Sequence, residues 1–372
     1  MLLKNSNYLL NEGYHLNNDI IHKGKGSKIF INNKEILDLS FCAGSLILGH
    51  SSKIFKKSLN EIVNKNISNF ASKNLYAVKF AGTLKKLFPK YDKFIFCNSG
   101  TEAIFKSLRL TRAITKKNLI ISVSGSWHGS VNELLFTPNK NLKNTDLSAG
   151  LKSSDKKNIK FIPYNDIEKS KKILDKYKKK IMCIIIEPIQ GCLPISAKKY
   201  LNFLNDYSKK NKLILIFDEM ITGMRVNMSS VQDEMNLSPS ISTFGKCFGG
   251  GMPIGIIAVK KQIYTKLSKA NKKVFFGGTF SGNSLSTYVG DRVSNYIYQN
   301  KNKIFKDLEN KSSFLQKEIN DFLFKGKYDA KVYRYHSMLR IVFSKKNIKN
   351  RYQRDFLENK HNKKINLFKI FL

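Results

Sequence analysis

Short apolar runs recur down the chain at intervals that a crossover helix would fill. KFIFC (93–97), LIISV (119–123), KFIPY (160–164), IMCIII (181–186), LILIF (213–217) and IGIIAV (254–259) are strand-sized and rich in β-branched and aromatic residues. Segments between them, such as DIEKSKKILDKYKKK and AKKYLNFLNDYSKKNK, carry the amphipathic period of helices. Strands buried on both faces read as continuous apolar runs, and parallel neighbours need a crossover between them. The pattern therefore predicts an α/β domain on a mostly parallel sheet sandwiched by helices. In such sheets ligands bind at the carboxyl ends of the strands, so that edge is where chemistry is to be sought.

The flanks read differently. KIFINNKEILDLS (28–40) has the form of a hairpin turning at Asn32 and Asn33, and residues 52–88 have a helical period. The polar stretch 139–159 reads as a surface excursion, and a helix-rich segment after about residue 290 leads to a strand pair in KVYRYHSMLRIVFS (331–344). The expected organisation is an N-terminal segment (1–51) contributing to a small α+β domain, a large ligand-binding domain (52–290), and a C-terminal part of the small domain (291–372). No internal repeat is evident.

Bulk composition narrows the class. With 372 residues, 42% hydrophobic and 12% aromatic, the chain can bury a sizeable core. No apolar run approaches the ~18–20 residues that span a bilayer, and the N-terminus lacks the apolar core and cleavage site of a signal peptide, so a cytoplasmic protein off the membrane is expected. The five cysteines are odd in number and form no C-x-x-C pair, which argues against a disulfide framework or a zinc knuckle; no metal is expected. A formal charge of +39 invites a nucleic-acid reading. Its lysines, however, are spread over nearly every polar segment with no recognisable binding module, so no specific nucleic-acid partner is expected.

Four of these apolar runs are followed by residues with chemical potential. After KFIFC, the small residues Ser99, Gly100 and Thr101 open a helix whose N-terminus could cradle a phosphate, although the same stretch serves equally as an ordinary N-cap. After LIISV come Trp127, the only tryptophan, and His128; a flat aromatic at a strand end could stack on a flat ligand, whereas a lone histidine is more often a packing residue. Glu187 follows IMCIII, and Asp218 with Glu219 ends LILIF, where a carboxylate could meet a cationic nitrogen or cap a helix.

Lys246 lies in FGKCFGGGMPIG, 28 residues beyond Asp218 and just before IGIIAV, which returns it to the same sheet edge. The three glycines after it would let backbone approach a ligand closely. A lysine amine opposite a carboxylate, beside a phosphate cradle and a stacking aromatic, is the equipment for pyridoxal 5'-phosphate.

These residues resemble the class III aminotransferase family, fold type I of the pyridoxal-phosphate enzymes, and within it the glutamate-1-semialdehyde aminomutase branch. The matching motifs are SLILGH (45–50), NSGTEA (98–103), WHG (127–129), PYND (163–166), EP (187–188), DEMITGMR (218–225), GKCFGGGMPIG (245–255) and GTFSGN (278–283). The resemblance implies Lys246 as the Schiff-base and proton-transfer lysine and Asp218 as partner of the pyridine nitrogen. It also implies Ser99, Gly100 and Thr101 as phosphate ligands, Trp127 as the aromatic on the ring, and His128 and Glu187 near the cofactor. Thr279 matches a threonine that reaches the phosphate from a neighbouring subunit, which implies a homodimer with shared active sites.

Departures bear on the substrate. NEGYHLNNDIIHKGKGSKIF contains no V-N-S-P-V-R-like segment to supply the branch's carboxylate-holding arginine, and Cys192 stands where the aminomutases have asparagine. FCAGSLILGH lacks the S-W-G that usually precedes its motif there, and INLFKIFL reads as a strand without the family's closing helix, as in a shortened small domain. The expected activity is thus amino transfer between a small-molecule amino donor and a carbonyl acceptor. The aminomutase reaction stands as the alternative, and a catalytically inactive basic scaffold is the reading from another class.

Overall fold

The apolar runs assemble into one seven-stranded sheet, joined by a strand that the apolar pattern does not single out, Ile241–Gly245. The computed structural model describes residues 8, 20–31, 34–139, 141–227, 230–269 and 273–359. Strands β1 (Ile21–Lys25), β2 (Lys28–Ile31) and β3 (Lys34–Leu37) form a separate antiparallel sheet. The expected hairpin is therefore present with an added strand; its turn residues Asn32 and Asn33 lie outside the described residues, as does the INLFKIFL segment.

The central sheet contains β4 (Lys93–Cys97), β5 (Leu119–Val123), β8 (Ile159–Ile162), β9 (Ile181–Ile186), β10 (Ile214–Asp218), β11 (Ile241–Gly245) and β12 (Gly255–Val259), in the order β4-β12-β11-β10-β9-β5-β8. Its neighbours from β11 to β8 run parallel, and β12 alone runs antiparallel to both of its neighbours, β11 and β4. Between β5 and β8 a small hairpin of β6 (Phe136–Pro138) and β7 (Asn144–Asp146) occupies part of the polar excursion. A second hairpin, β13 (Lys331–Tyr335) with β14 (Met338–Val342), matches the expected strand pair.

Helices cover the sheet on both sides. The 52–88 segment resolves into α1 (Lys53–Asn64) and α2 (Leu75–Leu87), each opened by a side-chain cap, Ser52 and Asn74. Next come α3 (Gly100–Thr115), α4 (Ile167–Tyr177), α5 (Lys198–Lys210), α6 (Ser284–Gln299), α7 (Lys301–Lys325) and α8 (Arg351–Asn359). Alternate residues of each strand face opposite cores. Ile184, Ile186 and Phe217 pack with Leu174 of α4 and Tyr200, Leu201 and Leu204 of α5, while Cys183, Ile185 and Ile216 pack with Ile104 and Leu108 of α3. A third core joins α2 and α6 to Phe248, just beyond Lys246.

β11 escaped notice because only Ile241 and Phe244 of ISTFG are large and apolar. Its polar residues are buried with partners: the Tyr91 hydroxyl meets Ser242 Oγ at 2.6 Å, and Thr243 Oγ1 donates to Asp218 Oδ1 at 3.2 Å. Strand propensity is here overridden by flanking neighbours that satisfy the polar groups. Among the described residues no helix is long and apolar enough to cross a membrane, and all five cysteines are free.

One glycine ties the sheet to the start of α3. A Cβ on Gly255 would lie 2.1 Å from the Ser99 carbonyl oxygen. Gly255→Ala must therefore push β12 away from the α3 N-terminus, and overpacking of this kind costs about 1–3 kcal/mol or more. Denaturant unfolding should show a loss of that size; an unchanged midpoint would contradict the close packing.

Candidate active site

The carboxyl ends of β4, β5, β9, β10 and β11 open on a common cavity of about 360 Å³. At its floor Asp218 ends β10, nearly inaccessible to solvent, with both carboxylate oxygens occupied. Oδ2 pairs with His128 Nδ1 at 2.7 Å; Oδ1 accepts from Thr243 Oγ1 and from the Met220 N–H, each at 3.2 Å. His128 is 4% exposed, and its Nε2 has no hydrogen-bond partner. A buried ring nitrogen without a partner is costly and marks a place where a polar group belongs.

The α3 N-terminus forms one wall. Ser99 is the N-cap, its Oγ accepting from the Glu102 N–H at 3.1 Å, so the ordinary capping role is real. Capping occupies the Glu102 donor and leaves the N–H groups of the first turn, Gly100 and Thr101, without intrahelical acceptors. Thr101 Oγ1 accepts from the Ser130 N–H at 3.1 Å and thereby holds the Trp127–Gly129 turn against the helix. Gly129 permits that contact, since a Cβ there would lie 2.4 Å from Thr101 Oγ1. Asn98 also lines the cavity, its Oδ1 buried without a partner.

Lys246 follows β11 directly, at a positive φ of 46°. Burial pushes its amine below the ordinary lysine range; Glu187 and Asp218 pull it back up only partly, and Arg225 adds to the lowering. Glu187 lies buried in the same cavity. Its carboxylate accepts the Trp127 N–H at 2.5 Å and the Gly191 N–H at 3.3 Å, and burial raises its pKa to about 7.

The cavity thus gathers Ser99, Gly100, Thr101, Trp127, His128, Glu187, Asp218 and Lys246. Trp127 is at the rim, 50% exposed. Thr279 is the exception, exposed and outside this cavity. The glycine run does not line the cavity either. Gly250 and Gly251 are required by φ values of 60° and 111°, and a Cβ on Gly250 would lie 2.5 Å from Val293 Cγ2; close backbone approach to a ligand is therefore not their role. It is Met252, Pro253 and Ile254 that face the cavity.

Several residues at the site were not singled out from the sequence. Thr243 lay in the unrecognised strand. Ala43 and Ser45 reach the cavity from the N-terminal segment, whose Gly44 carbonyl is held by Arg225 and, at 3.3 Å, by the Cys247 thiol. Cys247 thus acquires a structural role beside Lys246.

The class-III aminotransferase family model matches residues 11–368. The chain belongs to that family. It is 33% identical over 329 residues to the glutamate-1-semialdehyde 2,1-aminomutase of Methanosphaera stadtmanae, covering 87% of this chain and 76% of that one. Among solved structures it resembles an omega-transaminase from Sphaerobacter thermophilus (TM-score 0.85, 20% identity, 94% of this chain and 83% of that one). A glutamate-1-semialdehyde-aminomutase from Pseudomonas aeruginosa PAO1 is also similar (TM-score 0.77, 16% identity, 89% and 75% covered).

Class-III aminotransferases are pyridoxal-phosphate enzymes, and the residues here fit that group. The cavity falls within the ~300–1,000 Å³ of small-molecule sites. It presents helix N–H groups suited to a phosphate, two orphaned polar atoms, a buried carboxylate and an amine made less basic by burial.

The raised pKa of Glu187 has a consequence for stability. In acid both folded and unfolded states are protonated and no charge is buried. The cost of burying it grows as pH rises above the unfolded value and is complete above about 7. Glu187→Gln should therefore raise the melting temperature, relative to wild type, more at about pH 8 than at about pH 5. Equal shifts at the two pH values would contradict the assignment.

Proposed function

We propose that this class-III aminotransferase family member transfers an amino group between a small-molecule donor and a carbonyl acceptor, with Lys246 as its catalytic amine. The observation that carries the reading is the convergence of Lys246, the Asp218–His128 pair and the α3 N-terminus on one cavity. Bound there, pyridoxal phosphate would supply an aldehyde that condenses with an amine and a ring that takes up electrons once its nitrogen is protonated.

The chain's own residues divide the remaining work. An amine with a lowered pKa has a larger neutral fraction near pH 7, so Lys246 Nζ can accept a proton from the substrate carbon and return it. Asp218, oriented by His128 and Thr243, would hold a positive charge on the ring nitrogen. Ser99, Gly100 and Thr101 would take the phosphate, and Trp127 would cover one face of the ring. Thr279 would serve the cavity of a second copy, so the functional unit in this reading is a homodimer. The division into 1–51, 52–290 and 291–372 is retained, with Ala43 and Ser45 of the first part contributing to the cavity.

The names of sequence relatives such as that of Methanosphaera stadtmanae favour a second reading, glutamate-1-semialdehyde 2,1-aminomutase. Against it, the Cys192 thiol donates to the Gly125 carbonyl at 3.3 Å, and the residue is absent from the cavity wall.

The purified protein loaded with pyridoxal phosphate should absorb in the visible, and Lys246→Ala should lose that band together with at least about 10²-fold in turnover. A panel of amino donors should then convert the band, identifying the substrate. A wild type that cannot be loaded would overturn the reading, and efficient formation of 5-aminolevulinate from glutamate-1-semialdehyde would select the aminomutase instead.

A further inference from the structure

We infer that Lys106 is a positioning residue for the cavity of a second copy of the chain: it clamps the 275–281 loop onto α3 so that Thr279 is presented outward. The inference rests on the reading of Thr279 given above.

Lys106 is only 2% exposed, in the middle of α3. Burying an ammonium is expensive unless it is fully paired, and a methionine would fill the space more cheaply, so its charge calls for a reason. All three of its donors are used: on Glu102, on the Phe276 carbonyl at 2.6 Å, and on Ser281 Oγ at 3.2 Å. Arg109, three residues further along the helix, donates to the Phe275 carbonyl at 2.8 Å. Positions 102, 106 and 109 share one helix face, and that face grips the loop at both ends.

Between the grips the loop turns outward. Ser281 N–H closes on the Gly278 carbonyl at 2.9 Å, Thr279 is exposed, and Phe275 and Phe280 are 73% and 56% exposed. Glu102 connects this clamp to the same subunit's cradle, for its carboxylate accepts the Asn98 N–H at 2.7 Å as well as the Ser281 hydroxyl at 3.2 Å. One helix face thus braces the subunit's own cradle and aims the loop at another.

Subunit mixing separates the two destinations. The Lys106→Met protein should bind pyridoxal phosphate at least about tenfold more weakly by absorbance titration, because each cavity receives a misaligned loop. In a mixed dimer of Lys106→Met with Lys246→Ala, isolated through two different tags, the Lys106→Met subunit keeps its own Lys246 and receives a normal loop. Wild-type affinity should return at one site per dimer. Unchanged affinity of the Lys106→Met protein, or a mixed dimer that stays weak, would overturn the inference. Thr279→Val in the same format is the control: if it is rescued and Lys106→Met is not, only the role of Lys106 fails. If Thr279→Val binds normally or is not rescued, the reading of Thr279 fails and takes this one with it. Should Lys106→Met not fold, Ser281→Ala loosens the same clamp while leaving the ammonium two partners, and the same rescue decides.

Discussion

A carboxylate that solvent hardly reaches, Asp218, is the point on which the rest of the site depends. Three elements converge to hold it: the turn after β5 through His128, strand β11 through Thr243, and the turn after β10 through the Met220 N–H. Such a group stays buried only if its hydrogen bonds are complete, so the carboxylate dictates the relative positions of the elements around it. Lys246 lies just past the end of the neighbouring strand β11, in which Thr243, three residues before the lysine, pairs in register with Asp218. Amine and acid therefore reach the same edge through backbone pairing, independent of any attraction between them.

Tightness elsewhere comes from glycine. Gly255 lets the sheet touch the Ser99 carbonyl, and Gly129 lets the Trp127 turn rest on Thr101. Both contacts brace the first turn of α3, where helix N–H groups face the cavity. Most lysines are surface groups; Lys106 is buried, and burial makes the Lys260 amine less basic too. Of these three, only Lys246 lines the cavity with Asp218 and Glu187, its amine less basic despite those two carboxylates.

Much of this was legible in the residues. Continuous apolar runs announced the sheet, and small, aromatic or ionisable residues after four of them marked the edge where Ser99, Trp127, Glu187 and Asp218 meet. β11 was not legible, because Ser242 and Thr243 are polar and their partners, Tyr91 and Asp218, come from distant segments. The contribution of Ala43 and Ser45 was hidden for a similar reason: it depends on Arg225 and Cys247 holding the Gly44 carbonyl, a contact spanning about half the chain. The glycine run pointed to the right lysine for a different reason than close backbone approach to a ligand, since its residues serve a tight turn against α6.

One lysine, in a chain with 66 lysines and arginines, is proposed to meet the cofactor. Loading the protein with pyridoxal phosphate, reducing with borohydride and mapping the labelled peptides tests it directly. A single pyridoxyl group on Lys246 is the predicted result; label spread over surface lysines, or concentrated on any other one, would contradict the account.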